Sequence, residues 1–174
     1  MRNENNTIPN IVLIGFMGTG KSAVSAGLQK LLPLDLVDTD ALIEEEEGMS
    51  INEIFAKYGE PYFRDCETRL TLKLQERRQT IISCGGGMIM RPENEANLKK
   101  SGRVVLLTAK PETIYERVKD SDDRPILKGH MNVAYIAQLM ERRRARYEEA
   151  ADIVIATDGK SVEEICREIL EKIA

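Results

Sequence analysis

The segment that most constrains this chain is residues 15–22, which read Gly-Phe-Met-Gly-Thr-Gly-Lys-Ser and match the spacing GxxxxGK[ST]. It follows a short apolar run at residues 11–14 and precedes an amphipathic stretch that predicts a helix. A strand, a glycine-rich turn and a helix start in this order place backbone N–H groups around phosphate oxygens. The segment therefore predicts a nucleotide phosphate site formed by Gly18, Thr19, Gly20, Lys21, Ser22 and Ala23.

Two side chains of this segment carry chemistry of their own. The Lys21 ammonium can reach the β- and γ-phosphates, and the Ser22 hydroxyl can ligate Mg²⁺. From average residue usage, a chance match to this motif in a chain of this length has a probability of roughly one in a hundred or less. A glycine-rich turn without a chemical role is therefore a poor explanation of the segment.

The rest of the chain alternates short β-branched runs with longer helical patterns, which is typical of βαβ units around a mainly parallel sheet. Residues 121–131 mix charge, proline and glycine without periodicity and are expected to form a mobile surface loop. No repeat or flexible linker divides the chain, so we expect one α/β domain over residues 1–174.

Strands are predicted at residues 11–14, 34–37, 80–83, 104–108 and 153–156. Helices are predicted at residues 21–32, 41–47, 51–57, 61–78, 93–100, 112–119, 133–150 and 162–173.

Three unusual segments follow the first three predicted strands. They are the glycine-rich turn, the pair Asp38 and Asp40, and the triple glycine at residues 85–87. Parallel sheets bind ligands beyond the carboxyl ends of their strands, so these segments are expected to meet at one site. For the acidic pair two interpretations stay open at equal weight. One carboxylate holds Mg²⁺ through water while the other accepts a proton, or the pair belongs to a plain helix N-cap. Asp38 is the expected metal-side carboxylate.

Composition excludes several classes of protein. The formal net charge is −4, which gives no global positive field for nucleic acid. The longest apolar runs are too short to span a bilayer, and the first ten residues lack a signal-peptide core, so a cytoplasmic location without membrane contact is expected. The three cysteines form no CxxC pair and are expected to be buried or idle thiols, while His130 is expected to be an exposed bystander.

In its order of motifs the chain resembles the shikimate kinase family along nearly its whole length. After the glycine-rich segment come Asp-Thr-Asp, a Ser-Ile-x-x-Ile-Phe helix, Gly-Glu-x-x-Phe-Arg-x-x-Glu, the triple glycine, Arg-Pro and Arg-x-x-x-Tyr. In this chain these motifs fall at residues 38–40, 50–55, 59–67, 85–87, 124–125 and 143–147. One departure is the segment 32–36, where the family usually has glycine and an aromatic residue, which leaves the start of the second strand open.

The resemblance implies transfer of the γ-phosphoryl group of ATP to the 3-hydroxyl of shikimate, in the pathway to chorismate and the aromatic amino acids. It also implies a three-layer, single-domain P-loop kinase fold with a five-stranded parallel sheet in the order 2-3-1-4-5, Mg²⁺ as the cofactor and a monomer. A mobile lid would lie at about 121–131, and a shikimate-binding region at about 38–67.

The roles that the resemblance implies divide into three groups. Lys21, Asp40 and Arg124 would be catalytic, with Asp40 as the base and Arg124 reaching the transferring phosphate from the lid. Arg117 and Arg124 would join the glycine-rich segment in binding ATP, with Arg117 against adenine. Shikimate would be bound by Asp40, Arg64, Glu67, Gly86, Gly87 and Arg143, where the two arginines hold its carboxylate and Glu67 orients Arg64.

Most residues of two charge clusters are expected to be exposed to solvent. Among the four arginines of residues 142–146, Arg143 is chosen because it precedes Tyr147 by four residues, and the other three are expected on a solvated face. The acidic run 44–47 is expected on a helix surface. Rival readings are a gluconate-type or nucleoside monophosphate kinase, which would lack the motif at 59–67, and a non-catalytic nucleotide-binding module.

Overall fold

The computed structural model describes residues 8–120 and 132–174. Within these residues the chain forms five strands and eight α-helices. The strands are β1 (Ile11–Ile14), β2 (Asp35–Asp38), β3 (Thr80–Ser83), β4 (Arg103–Thr108) and β5 (Ile153–Ala156). The helices are α1 (Lys21–Leu31), α2 (Thr39–Glu47), α3 (Ile51–Tyr58), α4 (Glu60–Leu74), α5 (Pro92–Ser101), α6 (Pro111–Val118), α7 (Val133–Ala150) and α8 (Val162–Ile173). A short 3-10 turn, Met88–Met90, was not predicted from the sequence.

The five strands form one parallel sheet in the order β2-β3-β1-β4-β5. The central strand β1 pairs with β3 on one side and β4 on the other, so that Ile11 lies opposite Ile81 and Arg103. This order confirms the predicted 2-3-1-4-5 arrangement. Because all strands run in the same direction, the loops after β1, β2 and β3 emerge at one edge of the sheet.

Apolar side chains of β1 alternate between two cores, one on each face of the sheet. On one face, Val12 and Ile14 pack with the buried side chains of α2 to α7. On the other face, Ile11 and Leu13 pack with the buried side chains of α1 and α8. The strand is fully buried on both sides, which is why it reads as a continuous apolar run rather than an alternating one.

Most element boundaries lie within one residue of the sequence prediction, but α2 begins two residues earlier than predicted and α4 ends four residues earlier. Strand β2 lies one residue later at each end than predicted, at Asp35–Asp38, and the N–H of the preceding Leu34 donates to the Leu32 carbonyl at 2.8 Å instead of joining the ladder with β3. Helix α4 ends at Leu74 instead of residue 78. The chain then tightens through a 3.1 Å bond from the Arg77 N–H to the Leu74 carbonyl, and Gln79 adopts a φ of 51°. This turn is needed because β3 starts one residue later.

Serine side chains cap the starts of two helices. Ser161 and Glu164 form a complete capping box at α8, and the Ser50 hydroxyl accepts from the Glu53 N–H at α3. The three cysteines are buried free thiols, as expected. In the described ranges, no helix combines the length and apolar character that a membrane crossing requires. The segment predicted as a lid, residues 121–131, and with it His130, lies outside the described residues.

Candidate active site

A cavity of about 790 Å³ lies at the carboxyl edge of the sheet. Its wall combines the loop after β1, the start of α2, the turn after β3, and side chains of α4 and α7. Thr19 is buried and lies outside the cavity lining, and Arg124 lies outside the described residues. The cavity brings together the other predicted site residues, which are Gly18, Gly20, Lys21, Ser22, Ala23, Asp38, Asp40, Arg64, Glu67, Gly86, Gly87, Arg117 and Arg143.

The loop after β1 has a backbone shape that requires glycine. Gly18 and Gly20 have φ angles of 77° and 96°, in the region that residues with side chains rarely adopt. A Cβ on Gly15 would lie 2.5 Å from the carbonyl oxygen of Leu107. The Thr19 hydroxyl donates to the Phe16 carbonyl at 2.8 Å and closes the loop from behind. Thr19 therefore acts on the shape of the loop from its buried side.

The start of α1 is built as an anion site. Gly20 is its N-cap, and among the described residues no side chain caps it and no acidic residue occupies its first turn. The first N–H groups of an α-helix lack intrahelical partners, and the helix dipole favours negative charge there. The Lys21 ammonium donates to the carbonyls of Gly15 at 2.7 Å and Phe16 at 3.0 Å, so a positive charge lies over the same loop. This arrangement fits phosphate groups.

Helix α2 begins at Thr39 rather than at the predicted residue 41, so Asp38 and Asp40 do not lie together on an extended segment. Asp38 ends strand β2 and caps α2, its Oδ1 accepting from the Ala41 N–H at 3.0 Å. Asp40 lies in the first helical turn. Both carboxylates still line the cavity. The N-cap interpretation is therefore correct for Asp38, and the cap uses one of its two carboxylate oxygens.

Arg64 and Glu67 form a pair on one face of helix α4. The Glu67 side chain is fully buried, and Arg64 Nη1 donates to its Oε1 at 2.6 Å. Arg64 Nη2 donates to Oε1 of Glu60 at 3.1 Å. Burial raises the pKa of Glu67 to about 7, although the attraction of Arg64 opposes that rise. Two carboxylates thus fix the direction of a guanidinium that lines the cavity.

Arg143 reaches the same cavity from helix α7, and it is only 6% exposed. Its guanidinium carbon lies 5.6 Å from the centroid of the Phe16 ring. Within the described part of the chain, its buried Nη1 has no hydrogen-bond partner. Buried polar groups are nearly always hydrogen-bonded, and leaving one unsatisfied is costly. An unsatisfied guanidinium nitrogen at a cavity wall therefore indicates an anionic ligand.

The expectation of a solvated arginine face is wrong in part. Arg142 and Arg144 are exposed, but Arg146 is half-buried and donates to Glu95 at 2.8 Å. Arg143, Tyr147 and Ala150 form the buried stripe of α7, and residue 146 lies at its edge.

The acidic run is also only partly solvated. The Glu44 carboxylate accepts from the Ile51 N–H at 3.2 Å, and the Glu47 carboxylate accepts from the Tyr62 hydroxyl at 2.6 Å. Both glutamates are half-buried, whereas Glu45 and Glu46 are exposed. The inner pair connects α2 to the two helices that follow.

The triple glycine gives room to three site residues. Each glycine lies beside a different side chain of the site. An added Cβ would lie 2.6 Å from Oδ1 of Asp40 at Gly85 and 2.5 Å from Nη1 of Arg64 at Gly87, so these two side chains occupy the space that a Cβ would need. At Gly86 the nearest atom to an added Cβ would be the backbone nitrogen of Met17 at 3.3 Å, and Nη1 of Arg143 would be in ordinary contact at 3.6 Å.

Sequence reasoning assigned no function to two hydroxyl groups that contact this turn. The Gly85 N–H donates to Oγ1 of Thr39 at 2.8 Å, and the Tyr147 hydroxyl donates to the carbonyl of Gly86. Thr39 is the middle residue of Asp-Thr-Asp and Tyr147 is the last residue of Arg-x-x-x-Tyr, but these motifs were interpreted through their aspartates and their arginine. Membership of the two motifs was the only sequence signal for these hydroxyls.

Arg117 lies at the exposed rim of the cavity, on α6. Its Nη1 donates to the carbonyl of Gly18 at 2.9 Å and to the Thr157 hydroxyl at 3.4 Å. Arg117 therefore connects the glycine-rich loop to the segment that follows β5. As for a metal site built from protein alone, residues 8–120 and 132–174 contain no group of three His, Cys, Asp or Glu side chains that could form one.

Comparison with known proteins agrees with this geometry. The family model for shikimate kinase matches residues 17–174. A shikimate kinase of Geobacter metallireducens is 44% identical over 164 residues, which cover 94% of this chain and 91% of the relative. One of Thermodesulfovibrio yellowstonii is 41% identical over 163 residues, covering 94% of each chain.

A solved structure supports the same assignment at the level of the fold. The shikimate kinase of Acinetobacter baumannii in complex with shikimate superposes with a TM-score of 0.92 at 34% sequence identity. The match covers 96% of this chain and 93% of the other. Family model, sequence relatives and structure agree over nearly the full length, and the chain belongs to the shikimate kinase family.

Proposed function

We propose that this chain transfers the γ-phosphoryl group of ATP to the 3-hydroxyl of shikimate, giving shikimate 3-phosphate and ADP. One observation carries the proposal. A cavity that already contains a phosphate-binding loop also contains a buried guanidinium, that of Arg143, with an unsatisfied nitrogen. A second guanidinium, that of Arg64, lines the same wall. These groups suit an acceptor that carries a carboxylate of its own.

The nucleotide occupies the half of the cavity formed by the loop after β1. Backbone N–H groups of residues 18–23 surround the β- and γ-phosphates at the α1 N-terminus, and Lys21 neutralises charge on the transferring group. Arg117, at the rim beside Gly18, lies against the adenine ring. By resemblance, Arg124 contacts the transferring phosphoryl group from the segment 121–131, the expected lid.

The cofactor would be Mg²⁺, which would supply neutralising charge to the phosphate oxygens of the nucleotide. The donor set fits this ion, because Mg²⁺ prefers oxygen ligands and keeps several waters and phosphate oxygens rather than a protein cage. The Ser22 hydroxyl and the Asp38 carboxylate line the cavity on the phosphate side and would hold the ion. The cap at α2 occupies only Oδ1 of Asp38, which leaves its other oxygen for a metal-bound water.

The acceptor occupies the other half of the cavity. Arg64 and Arg143 hold its carboxylate, because guanidinium groups offer paired donors to a planar anion. Glu67 holds Arg64 in place, and the backbone at Gly86 and Gly87 frames the ring.

Chemistry then requires little beyond alignment. The 3-hydroxyl oxygen attacks the γ-phosphorus, the bond to the β–γ bridging oxygen breaks, and ADP leaves with the electron pair of that bond. The hydroxyl proton passes to the carboxylate of Asp40. Arg64 and Arg143 keep the acceptor hydroxyl in line with the γ-phosphorus.

The wider setting of the proposal follows from the family. The enzyme works as a single domain and a monomer in the cytoplasm, on the route to chorismate and the aromatic amino acids. ATP and shikimate are its partners, and it uses neither nucleic acid nor membrane. The net charge of −4 supports the last point.

A coupled ADP-release assay tests the substrate. Shikimate, quinate, gluconate and AMP are compared at equal concentration, and shikimate is expected to be turned over fastest. Shikimate methyl ester keeps the ring hydroxyls but loses the charge, so it should be a very poor substrate. Arg143→Ala should weaken shikimate binding by about 2–3 kcal/mol, typical of a lost hydrogen bond to a charged group. An ester phosphorylated as readily as shikimate would contradict the carboxylate clamp.

A further inference from the structure

The turn at residues 85–87 has no side chains of its own to fix its shape. Glycine rotates more freely than any other residue, so three in succession leave several backbone conformations close in energy. In this structure the turn adopts one conformation, and it contacts Asp40, Arg64 and Arg143 at successive positions. Locally, the carbonyls of Gly85 and Gly87 accept from the N–H groups of Met88 and Met90, each at 3.2 Å. Two side chains from distant elements add further hydrogen bonds to the turn.

One of these hydrogen bonds comes from the start of helix α2. Thr39 is fully buried, and its Oγ1 accepts the N–H of Gly85 at 2.8 Å. Thr39 is flanked by Asp38 and Asp40, so the residue that fixes the turn moves with the two carboxylates of the site.

A second hydrogen bond to the turn comes from helix α7. Tyr147 is 6% exposed, and its hydroxyl donates to the carbonyl oxygen of Gly86. Burial raises the pKa of the Tyr147 phenol. The positive charge of Arg143 opposes this rise without reversing it, so the hydroxyl keeps its proton and remains a donor. The same side chain thus lies beside the carboxylate-binding arginine and the glycine turn.

Because peptide units are planar, the hydrogen bond from Tyr147 to Gly86 also affects the next residue of the turn. A trans peptide is planar, and its C=O and N–H point in opposite directions. By fixing the carbonyl of Gly86, Tyr147 also fixes the direction of the Gly87 N–H, which belongs to the same peptide unit. The Arg64 guanidinium lies directly beside Gly87, at the position that a Cβ of this residue would take.

We propose that Thr39 and Tyr147 are positioning residues for the acceptor: two buried hydroxyls that lock the glycine turn from opposite sides. This rests on the proposed function, since the turn lines the half of the cavity assigned to shikimate. Neither residue touches the reacting atoms. Both act through the backbone of residues 85–87.

The kinetic test uses Thr39→Val and Tyr147→Phe, which remove each hydroxyl and keep the shape. Each variant should lower kcat/KM for shikimate about three- to tenfold, the effect of one net hydrogen bond, and leave KM for ATP unchanged. The double variant should lose less than the product of the two single effects, because both hydroxyls act on one turn. Thr39→Ser keeps the hydroxyl and should restore the wild-type value.

Tyr62→Phe serves as the matched control. It removes a tyrosine hydroxyl bonded to Glu47 at 2.6 Å, outside the cavity lining. The control should leave both KM values unchanged. If Thr39→Val and Tyr147→Phe lower the melting temperature as the control does and leave kcat/KM for shikimate unchanged, their role is structural only and the proposal is overturned.

Amide NMR on the ligand-free protein tests the lock without any turnover. Thr39→Val should speed hydrogen exchange at the Gly85 N–H, and Tyr147→Phe should shift the amide resonance of Gly87. Unchanged signals at both positions would overturn the lock. Changed signals in a protein that does not phosphorylate shikimate would support the lock and defeat the proposed function instead.

Discussion

The substitution Glu67→Gln tests how the buried pair on α4 is charged. Glu67 is fully buried, and burial raises its pKa from 4.5 to about 7. In the unfolded chain the carboxyl loses its proton near the ordinary value, whereas in the folded protein it keeps the proton to higher pH. Between these two values the folded state binds more protons than the unfolded state, so the free energy of unfolding falls as pH rises.

The size of this effect follows from the same two pKa values. Each pKa unit corresponds to about 1.4 kcal/mol, so Glu67 should cost the wild type about 3 kcal/mol of stability between pH 4.5 and 7. Above the folded pKa both states are ionised, and the contribution becomes constant. Glutamine cannot ionise, and it can still accept the hydrogen bond from Arg64. The variant should therefore lack this part of the pH dependence.

Urea unfolding of both proteins from pH 4.5 to 8 measures the difference directly. Taking the difference between wild type and variant removes the contributions of groups that titrate alike in both proteins. The wild type should lose stability relative to the variant as pH rises to 7, with no further change beyond. A constant difference, or a wild type that gains with rising pH, would mean that the attraction of Arg64 exceeds the cost of burial and that Glu67 is ionised throughout.

Three further substitutions test other parts of the site. Lys21→Met should leave the fold intact and lower turnover severely, because Lys21 stabilises charge on the transferring group, and near wild-type turnover would disprove that role. Asp40→Asn should lower kcat at least about a hundredfold as expected for loss of a general base, whereas a rise in shikimate KM alone would make Asp40 a binding residue. Gly87→Ala should raise the shikimate KM and leave the ATP KM unchanged, because the added Cβ would lie 2.5 Å from Arg64; equal changes in both would indicate general distortion.

Local sequence patterns predicted the parts of this protein that depend on local physics. The strands are short apolar runs between turn residues, and four of the five start within one residue of the predicted position and end where predicted. The glycine-rich loop was predictable because its spacing encodes its backbone shape. The predicted order of the strands came from the family resemblance, since no single run of residues specifies which strands pair.

Contacts between distant elements were not predictable in the same way. The end of α4 depends on where β3 begins, and Arg146 is half-buried beside Glu95, a residue that α5 supplies. The hydroxyl of Tyr147 bonds a carbonyl 61 residues away in sequence. Periodicity along α7 does place Arg143 on the stripe of Tyr147 and Ala150, so the burial of this arginine was within reach of a helical-wheel argument.

The division of the core between the two faces of the sheet has a consequence for engineering. Asp40, Arg64, Glu67 and Arg143 all extend from helices packed on one face, whereas α1 and α8 cover the other. A mutant library aimed at a different acceptor can therefore be confined to α2, α4, α7 and the glycine turn. Stabilising substitutions belong in α8 and in the part of α1 that follows Ala23, away from those helices and from the phosphate site. An evolving chain has the same freedom, and it can acquire a new acceptor while the support of its nucleotide loop is inherited unchanged.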